Sequence, residues 1–318
     1  MLNELLMIAL GFILLVVGAE FLVRESKNIA NKFNIPEILI GLTIVAIGTS
    51  MPELIITITS AKKGLDDLII GNAIGSNLCN MLLILGIISI IRPIKIEKEA
   101  KKIHMPSAIF ATFCILAMCL GWFGFSKTVI NKAEGVILIL FFIIYFSYPI
   151  IIEMEDIIKT YKNNKNGKTK SIWLSFILII IAGILLKYGG DFVVDNSCLI
   201  AEHFNVEQRI VGLTIVAIGT ALPELITSII SAIKNSTDLA LGNLLGSCIL
   251  NLFLILGIGA TIMPLEIKAE FIGNLILSLL SLILIFIFNF IGKKNTITKF
   301  KGLILVTIFI IYIVQLFI

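Results

Sequence analysis

The segment GLTIVAIGTSMPELIITITS at residues 41–60 recurs as GLTIVAIGTALPELITSIIS at residues 212–231. The two segments start 171 residues apart and are identical at 15 of 20 positions, a match that chance does not produce. The same ungapped offset aligns GNAIGSNLCN at 71–80 with GNLLGSCILN at 242–251. A long internal repeat of this kind predicts that the chain contains two copies of one structural unit.

The composition around the repeat is typical of a membrane protein. Of 318 residues, 58% are hydrophobic and 14% are charged, against about 45–50% and about 25% in soluble domains. An apolar outer surface is stable in a bilayer but not in water. We therefore predict an integral membrane protein and exclude a water-soluble globular domain.

Apolar runs separated by short polar connections divide the chain into ten predicted transmembrane helices. The predicted spans are 2–23, 37–61, 68–91, 105–123, 131–152, 172–194, 208–233, 238–262, 270–291 and 302–318. The polar stretch 153–171 is interpreted as a linker between a first repeat, 1–152, and a second repeat, 172–318. Because each repeat has an odd number of spans, the second enters the membrane in the opposite orientation. The predicted fold class is an all-α membrane protein with ten transmembrane helices in two inverted-topology repeats of five.

Basic residues predict how these helices are oriented. The connections on one side of the membrane hold 18 Lys and Arg residues, and those on the other side hold 6. The side richer in basic residues is normally cytoplasmic. We therefore expect the linker in the cytoplasm, both termini outside the cell, and the plasma membrane as the location.

Two glutamates, Glu53 and Glu224, occupy equivalent positions near the middle of the second and seventh predicted spans. A carboxylate at this depth is costly unless a cation compensates its charge. Neither span carries a Lys or Arg within the ten residues before its glutamate, and the one basic residue inside the stated bounds, Arg209, stands near the start of the seventh span. We therefore interpret both glutamates as ligands of a mobile cation.

Each glutamate follows a proline, Pro52 or Pro223, which is expected to break the helix. Proline has no backbone N–H, so the carbonyl four residues earlier, at Gly48 or Gly219, loses its hydrogen-bond partner. Freed carbonyl oxygens in this turn are predicted to coordinate a hard cation. The candidate carbonyls run from Ala46 to Thr49 in the first repeat and from Ala217 to Thr220 in the second.

Hydroxyl and amide side chains near the glutamates supply further oxygen atoms. Those one turn before the glutamates are Thr49, Ser50 and Thr220, and those at i and i+4 on the third and eighth spans are Ser76, Asn80, Ser247 and Asn251. Glycines permit close helix packing in membranes, the role expected for Gly48, Gly71, Gly75, Gly219, Gly242 and Gly246. Oxygen ligands suit Ca²⁺, Mg²⁺ or Na⁺ rather than zinc or copper, and two carboxylates favour Ca²⁺.

The paired motifs resemble the two alpha repeats of the sodium/calcium exchanger family of cation/Ca²⁺ antiporters, in particular its prokaryotic ten-span members. GTSMPE and GNAIGSNLCN form the first alpha motif at 41–80, and GTALPE and GNLLGSCILN form the second at 212–251. The resemblance covers essentially all ten spans. It implies exchange of cytoplasmic Ca²⁺ for external Na⁺ by alternating access, with no resident cofactor.

The resemblance also implies roles for individual residues. Glu53 and Glu224 would bind both Ca²⁺ and Na⁺, and Thr49 and Thr220 would contribute backbone oxygens. The hydroxyls that would bind Na⁺ are those of Ser50, Ser76 and Ser247, and Asn80 and Asn251 would line the centre of the site.

Two residues depart from the family pattern. Ala221 stands where Ser is usual, and Asn251 stands where many sodium-coupled members carry Asp. The first change removes a hydroxyl ligand and the second removes a negative charge. A Ca²⁺/H⁺ antiporter therefore stays open as an alternative.

Other classes of protein fit the sequence less well. A cation channel seldom needs inverted halves around a buried acidic pair, and the chain has no glycine-lysine phosphate loop for an ATP-driven pump or other membrane enzyme. We expect a secondary transporter in a lipid bilayer, with no nucleic acid and no obligate protein partner. The five cysteines indicate no disulfide framework or CxxC metal site, and His104 and His203 are expected to be solvated.

Overall fold

The computed structural model describes residues 2–33, 35–122, 128–163, 172–203, 217–292 and 294–315. Most of these residues are helical, and the helices form two successive sets. The first set is α1 (Leu2–Phe33), α2 (Glu37–Thr49), α3 (Met51–Lys63), α4 (Asp66–Ile91), α5 (Ala100–Cys119) and α6 (Lys132–Asn163). The second set is α7 (Ile172–His203), α8 (Ala217–Thr220), α9 (Leu222–Ile233), α10 (Thr237–Ile262), α11 (Ala269–Ile287) and α12 (Lys299–Gln315).

The central helices of the two sets repeat with the same offset as the sequence. α4 and α10 begin and end 171 residues apart. Each contains a π-helical segment, Cys79–Ile84 in α4 and Leu250–Ile255 in α10. Such a segment adds a residue to a helical turn and is frequent at functional sites. Each one here contains the asparagine, Asn80 or Asn251, that the resemblance places at the centre of the site.

Two short antiparallel ribbons join the two sets of helices. β1 (Ile94–Lys95) follows α4 and pairs with β4 (Thr296–Ile297), which precedes α12. β2 (Val129–Ile130) precedes α6 and pairs with β3 (Leu265–Glu266), which follows α10. Each ribbon takes one strand from each set, so the end of each central helix is tied to the opposite half of the chain.

The helices sort into a buried centre and an apolar periphery. In the most apolar segment of α10, 94% of the residues are buried, against 22% in α7. The outer helices α1 and α7 expose large apolar side chains such as Leu6, Ile13 and Trp173. Surface of this kind is stable against lipid chains. The molecule is therefore an all-α membrane protein whose centre is formed by α4 and α10.

Within the described ranges, five helices are long and apolar enough to cross a membrane, or six if α2 and α3 are counted as one bent span. The apolar helices Leu222–Ile233 and Phe271–Ile287 are shorter. Each predicted span has a helical counterpart over its described part, while residue 123 of the fourth span, residues 208–216 of the seventh and residues 316–318 of the tenth lie outside the described residues.

The structure corrects two expectations about the connections between the predicted spans. α6 continues to Asn163, so the first part of the predicted 153–171 linker is helical, while residues 164–171 lie outside the described residues. His104 is only 1% exposed rather than solvated. The helix of the fourth span already begins at Ala100, which carries His104 into the bundle, where its Nδ1 lies 3.0 Å from Tyr145 Oη.

Glycines bring α2 and α10 into direct backbone contact. A Cβ atom on Gly242 would lie 2.2 Å from the carbonyl oxygen of Ile38, and one on Gly246 would lie 2.6 Å from that of Leu42. Both distances are shorter than any van der Waals contact allows. The structure therefore shows close packing at these two glycines, and only a residue without a side chain fits there.

Gly219 and Gly48, which are equivalent in the repeat, differ from each other. A Cβ on Gly219 would lie 2.2 Å from Val194 Cγ2, so this glycine is closely packed. A Cβ on Gly48 would meet only Leu22 Cδ2, at 3.9 Å, among the described residues. Close packing was expected at Gly48 and is not found there, because this glycine faces the end of a leucine side chain and not a helix backbone.

Gly71 and Gly75 have ordinary space among the described residues. A Cβ on Gly71 would lie 3.6 Å from the Phe271 ring, and one on Gly75 has no described neighbour within 4 Å. The repeat equivalents of Ile38 and Leu42 are residues 209 and 213, which lie outside the described residues. The residues against which these two glycines would pack therefore lie outside the described residues, and their close packing stays a prediction.

We expect Gly242→Ala to destabilise the protein, because the new methyl group would overlap the Ile38 backbone and overpacking of this kind costs about 1–3 kcal/mol. The measurement is the midpoint of thermal unfolding of the purified protein in detergent. Gly183→Ala in α7 is the matched control, since no described atom lies within 4 Å of its Cβ position. Equal midpoints for the two variants would contradict the packing argument.

Candidate cation-binding site

The candidate site begins with a helix break in the first repeat. α2 ends at Thr49 and α3 begins at Met51, and the pair is bent by 46°. Ser50, between the two helices, has φ −86° and ψ 11°, which is outside the α-helical range. Pro52 explains the break, because it offers no N–H to the carbonyl of Gly48.

The second repeat has an equivalent break. α8 ends at Thr220, α9 begins at Leu222, and Ala221 between them has φ −83° and ψ 1°. Pro223 stands at the second position of α9, as Pro52 does in α3. Equivalent backbone angles at Ser50 and Ala221 show that the break follows from the proline motif and not from the side chain at the break itself.

The carbonyl of Ala46 is not one of the freed oxygens. It accepts the backbone N–H of Ser50 at 3.0 Å. This oxygen keeps its helical donor because the last turn of α2 stays intact and the helix opens only at Ser50. A carbonyl oxygen has a second lone pair, so coordination of a cation by Ala46 stays a prediction. The equivalent residue, Ala217, is the first residue of α8.

Both glutamates are buried in the first turn of the helix that follows the break. Glu53 in α3 and Glu224 in α9 are each 1% exposed. The positive end of the helix dipole at this position favours a negative charge. Two ionised carboxylates buried in one site repel each other. Each glutamate therefore gains from a cation placed between them.

Serine hydroxyls bind one oxygen of each carboxylate. Ser76 donates to Glu53 Oε1 at 3.4 Å. Ser247, the equivalent residue, donates to Glu224 Oε1 at 3.5 Å, and Ser50 donates to the same oxygen at 2.9 Å. Ser50 also lies 3.0 Å from Ser247. The structure thus gathers these predicted residues around the two glutamates.

Four buried oxygens on the predicted ligand residues have no hydrogen-bond donor within the described part of the chain. They are Glu53 Oε2, Glu224 Oε2, Asn80 Oδ1 and Asn251 Oδ1. They form two pairs that the repeat relates to each other. Buried polar atoms are normally hydrogen-bonded, and an unpaired buried carboxylate oxygen is especially costly. Carboxylate and amide oxygens are the kind of ligand atom that a hard cation binds.

The environment of the two glutamates differs in one respect. Ser50 donates to Glu224, whereas the residue equivalent to Ser50 is Ala221, which has no hydroxyl to donate to Glu53. Ala221 is buried to the same degree as Ser50, at 1% exposure each. The departure seen in the sequence therefore removes a hydrogen-bond donor from the side of the site that holds Glu53.

Three asparagines near the site were missed by the sequence analysis. Thr49 donates to Asn243 Oδ1 at 3.1 Å, and Thr220 donates to Asn72 Oδ1 at 3.3 Å. Asn72 and Asn243 follow the first glycine of the GNAIGS and GNLLGS motifs, so their repetition at the common offset was the available signal.

The third missed residue, Asn77, cannot be found by repetition, because its equivalent is Cys248. Asn77 donates to the carbonyl oxygen of Cys248 at 3.1 Å, and its own Oδ1 accepts the amide N–H of Asn251, also at 3.1 Å. This contact occupies the nitrogen of Asn251 and leaves its oxygen as the atom without a donor.

The ligand atoms suit hard cations and not soft ones. Among the described residues, no group of three or more His, Cys, Asp and Glu side chains could hold a metal ion. The site offers two carboxylates, together with hydroxyl and amide oxygens. Sites with few charges and flexible oxygen ligands bind Ca²⁺ or Na⁺ better than a transition metal.

Buried carboxylates beside two broken helices, in an all-α bundle with an apolar surface, define the class of membrane proteins that bind cations within the bilayer. The model of the family described as sodium/calcium exchanger protein matches residues 3–151 and 174–318. The chain therefore belongs to the sodium/calcium exchanger family.

Similar proteins match over nearly the whole chain. The solved structure of the sodium-calcium exchanger NCX_Mj is 30% identical, with a TM-score of 0.83, and the match covers 99% of this chain and 98% of that one. The membrane protein MJ0091 of Methanocaldococcus jannaschii is 34% identical over 96% of each chain. The sodium/calcium exchanger MaX1 of Methanosarcina acetivorans is 29% identical over 98% of each chain.

We expect Glu53→Gln and Glu224→Gln each to weaken Ca²⁺ binding by about 100-fold or more, because each removes half of the negative charge that compensates a buried divalent ion. Calorimetric titration of the purified protein with Ca²⁺ measures the effect. Glu266→Gln on the exposed strand β3 is the control and should bind as the wild type does. Wild-type affinity in either site variant, with a normal elution profile, would rule out a two-glutamate site.

Proposed function

We propose that this protein is a secondary antiporter that exchanges Ca²⁺ for Na⁺ across the membrane by alternating access. The observation that carries the proposal is the set of four buried oxygens without donors, on Glu53, Glu224, Asn80 and Asn251. A protein that only needed these residues for packing would pair them with donors. Membership of the sodium/calcium exchanger family supports the same function.

The charge of the site favours exchange between one Ca²⁺ and Na⁺. Two carboxylates balance a divalent ion in a medium of low dielectric constant, where an uncompensated charge is costly. When Ca²⁺ leaves, Glu53 and Glu224 require other cations, and Na⁺ bound to the same carboxylates meets that requirement. Competition for shared ligands couples the two ions without any covalent chemistry.

Individual residues have separate roles in the proposal. Glu53 and Glu224 bind both ions, and the carbonyl oxygens of Thr49 and Thr220 complete the Ca²⁺ site. The remaining ligands are the Na⁺-binding hydroxyls of Ser50, Ser76 and Ser247, and the amide oxygens of Asn80 and Asn251 at the centre. The carbonyls freed at Gly48 and Gly219 by the prolines add oxygens at the two breaks.

Alternating access follows from a ten-span inverted repeat. We propose that the two sets of helices are related by an axis in the membrane plane, which presents an equivalent break to each side. The exchange of strands between the sets, β1 with β4 and β2 with β3, supports such an axis. The excess of Lys and Arg, 18 against 6, supports both termini outside the plasma membrane.

A single pair of cysteine substitutions tests this orientation. In a background without the native cysteines, Lys98→Cys should react with an impermeant thiol reagent only from the cytoplasmic side, and Lys63→Cys only from outside. Both lysines are exposed. A membrane-permeant reagent should label both and is the control. Labelling of both positions from the same side would contradict the inverted repeat.

A Ca²⁺/H⁺ antiporter is the second candidate, and one observation favours it. Glu53 receives a single described hydroxyl, from Ser76, because Ala221 cannot supply the one that Ser50 gives to Glu224. Asn251 also lacks the charge of an aspartate. Fewer ligands for Na⁺ would leave a proton as the alternative partner of the free carboxylate.

The coupling ion is decided by ⁴⁵Ca²⁺ uptake into proteoliposomes under an imposed Na⁺ gradient, compared with an imposed pH gradient. We expect internal Na⁺ to drive uptake and the pH gradient to have no effect, because the hydroxyls around Glu224 suit Na⁺. Glu53→Gln serves as the inactive control. Uptake under the pH gradient alone would establish the second candidate, and uptake under neither would overturn antiport altogether.

The same assay shows whether position 221 lies in the Na⁺ site. Ala221→Ser restores a hydroxyl that can donate to Glu53 as Ser50 donates to Glu224, so Na⁺ should compete with Ca²⁺ at about two- to fivefold lower concentration, the value of one hydrogen bond. Ala117→Ser is the matched control, a buried alanine of α5 outside the site. An unchanged Na⁺ dependence in Ala221→Ser would remove this position from the site.

A further inference from the structure

Two hydrogen bonds fix the threonines of the helix breaks to the opposite repeat. Thr49, in α2, donates to Asn243, in α10, at 3.1 Å. Thr220, in α8, donates to Asn72, in α4, at 3.3 Å. All four side chains are buried. The two bonds are equivalent at the offset of 171 residues, and both cross from one repeat to the other.

The two threonines are the last residues of α2 and α8, directly before the helix breaks. Thr49 is the last residue before the break at Ser50, so its side chain and its carbonyl are fixed together. The hydroxyl donates to Asn243 and leaves the carbonyl to face another partner. Ser50, the next residue, is bonded to Glu224. The orientation of Thr49 therefore sets the position of the peptide group next to the carboxylates.

Close backbone packing makes the contact possible. The asparagine follows Gly242, whose missing side chain allows α2 to approach α10 until a Cβ would touch the Ile38 carbonyl. On the far side, the Asn243 amide nitrogen lies 3.4 Å from the Ser228 hydroxyl in α9. The asparagine thus links the break in the first repeat to the helix that carries Glu224.

We infer that Asn243 and Asn72 are positioning residues, each of which holds the break threonine of the opposite repeat so that its backbone carbonyl is directed at the cation. The inference rests on the proposed function and adds a device for selectivity between cations of different size. A ring of oxygens held at fixed spacing discriminates by ionic radius, whereas a loosened ring does not. In this arrangement, the hydroxyl of Thr49 is not a ligand, and only its carbonyl is.

The test compares binding of Ca²⁺ and of the larger Sr²⁺ by calorimetric titration of the full-length protein. Thr49→Val keeps the carbonyl and removes the hydroxyl, and Asn243→Leu removes the acceptor. Each should weaken Ca²⁺ binding about fivefold, the value of one buried hydrogen bond, and should lower the preference for Ca²⁺ over Sr²⁺. Thr49→Ser keeps the hydroxyl and should restore both the affinity and the preference.

The double variant Thr49→Val with Asn243→Leu shows whether the two residues affect Ca²⁺ affinity through their shared hydrogen bond or through separate contributions. If the two residues act through one bond, the double variant binds Ca²⁺ no more weakly than the weaker single variant. Fivefold losses that multiply in the double variant would overturn the inference. Thr49→Val and Thr49→Ser complete the test without Asn243→Leu if that variant fails to fold.

Thr112→Val is the matched control. Its hydroxyl is buried and bonded to the Ala108 carbonyl at 3.0 Å in α5, outside the site, and its loss should leave the affinity and the Ca²⁺ to Sr²⁺ ratio unchanged. A normal ratio in Thr49→Val, in a protein whose wild type binds Ca²⁺, would overturn the positioning role alone. Absence of Ca²⁺ binding in the wild type would instead overturn the proposed function, and the inference with it.

Discussion

A carboxylate buried in the bilayer without a positive partner is the constraint on which the rest of this structure depends. Glu53 and Glu224 are almost completely buried, and the groups that contact them in the described residues are neutral hydroxyls. Hydroxyls orient a carboxylate but do not cancel its charge. The helix breaks reduce the same cost in two ways. Each break places a helix N-terminus beside a glutamate, which stabilises the negative charge, and it frees carbonyl oxygens that can bind the compensating cation.

The second requirement is that the site lie between the two repeats. Gly242 and Gly246 let α2 approach α10 to backbone contact, and the threonine of each break is bonded to an asparagine of the opposite repeat. The two ribbons tie the ends of the central helices across the same boundary. Because each half supplies part of the environment of the other, neither repeat forms the site alone. A cation bound at this boundary responds to any movement of one repeat against the other.

The two halves are equivalent in backbone and unequal in chemistry. Ser50 and Ala221 share their backbone angles, yet only Ser50 donates to a glutamate. Asn77 bridges the Cys248 carbonyl and Asn251, and no asparagine stands at position 248 to repeat the bridge. In the proposed inverted repeat, identical halves would treat the two sides of the membrane alike, and substitutions such as these would distinguish them. In the proposed exchanger, the residues that break the symmetry are the ones expected to decide the coupling ion.

The sequence by itself determined the helical membrane character, the repeat, the prolines that break the helices and the two glutamates, because hydropathy, duplication and the missing N–H of proline are local properties. The tertiary structure decided which polar atoms are hydrogen-bonded and which side chains are buried or closely packed. It showed that the Ala46 carbonyl accepts the Ser50 N–H, that His104 is buried, and that α6 extends into the predicted linker. It also showed that Gly48 is loosely packed, and that Asn72, Asn77 and Asn243 hold the site together. The asparagine contacts join residues up to 194 positions apart in the chain, and a hydrogen bond of that separation exists only once the two repeats have packed together.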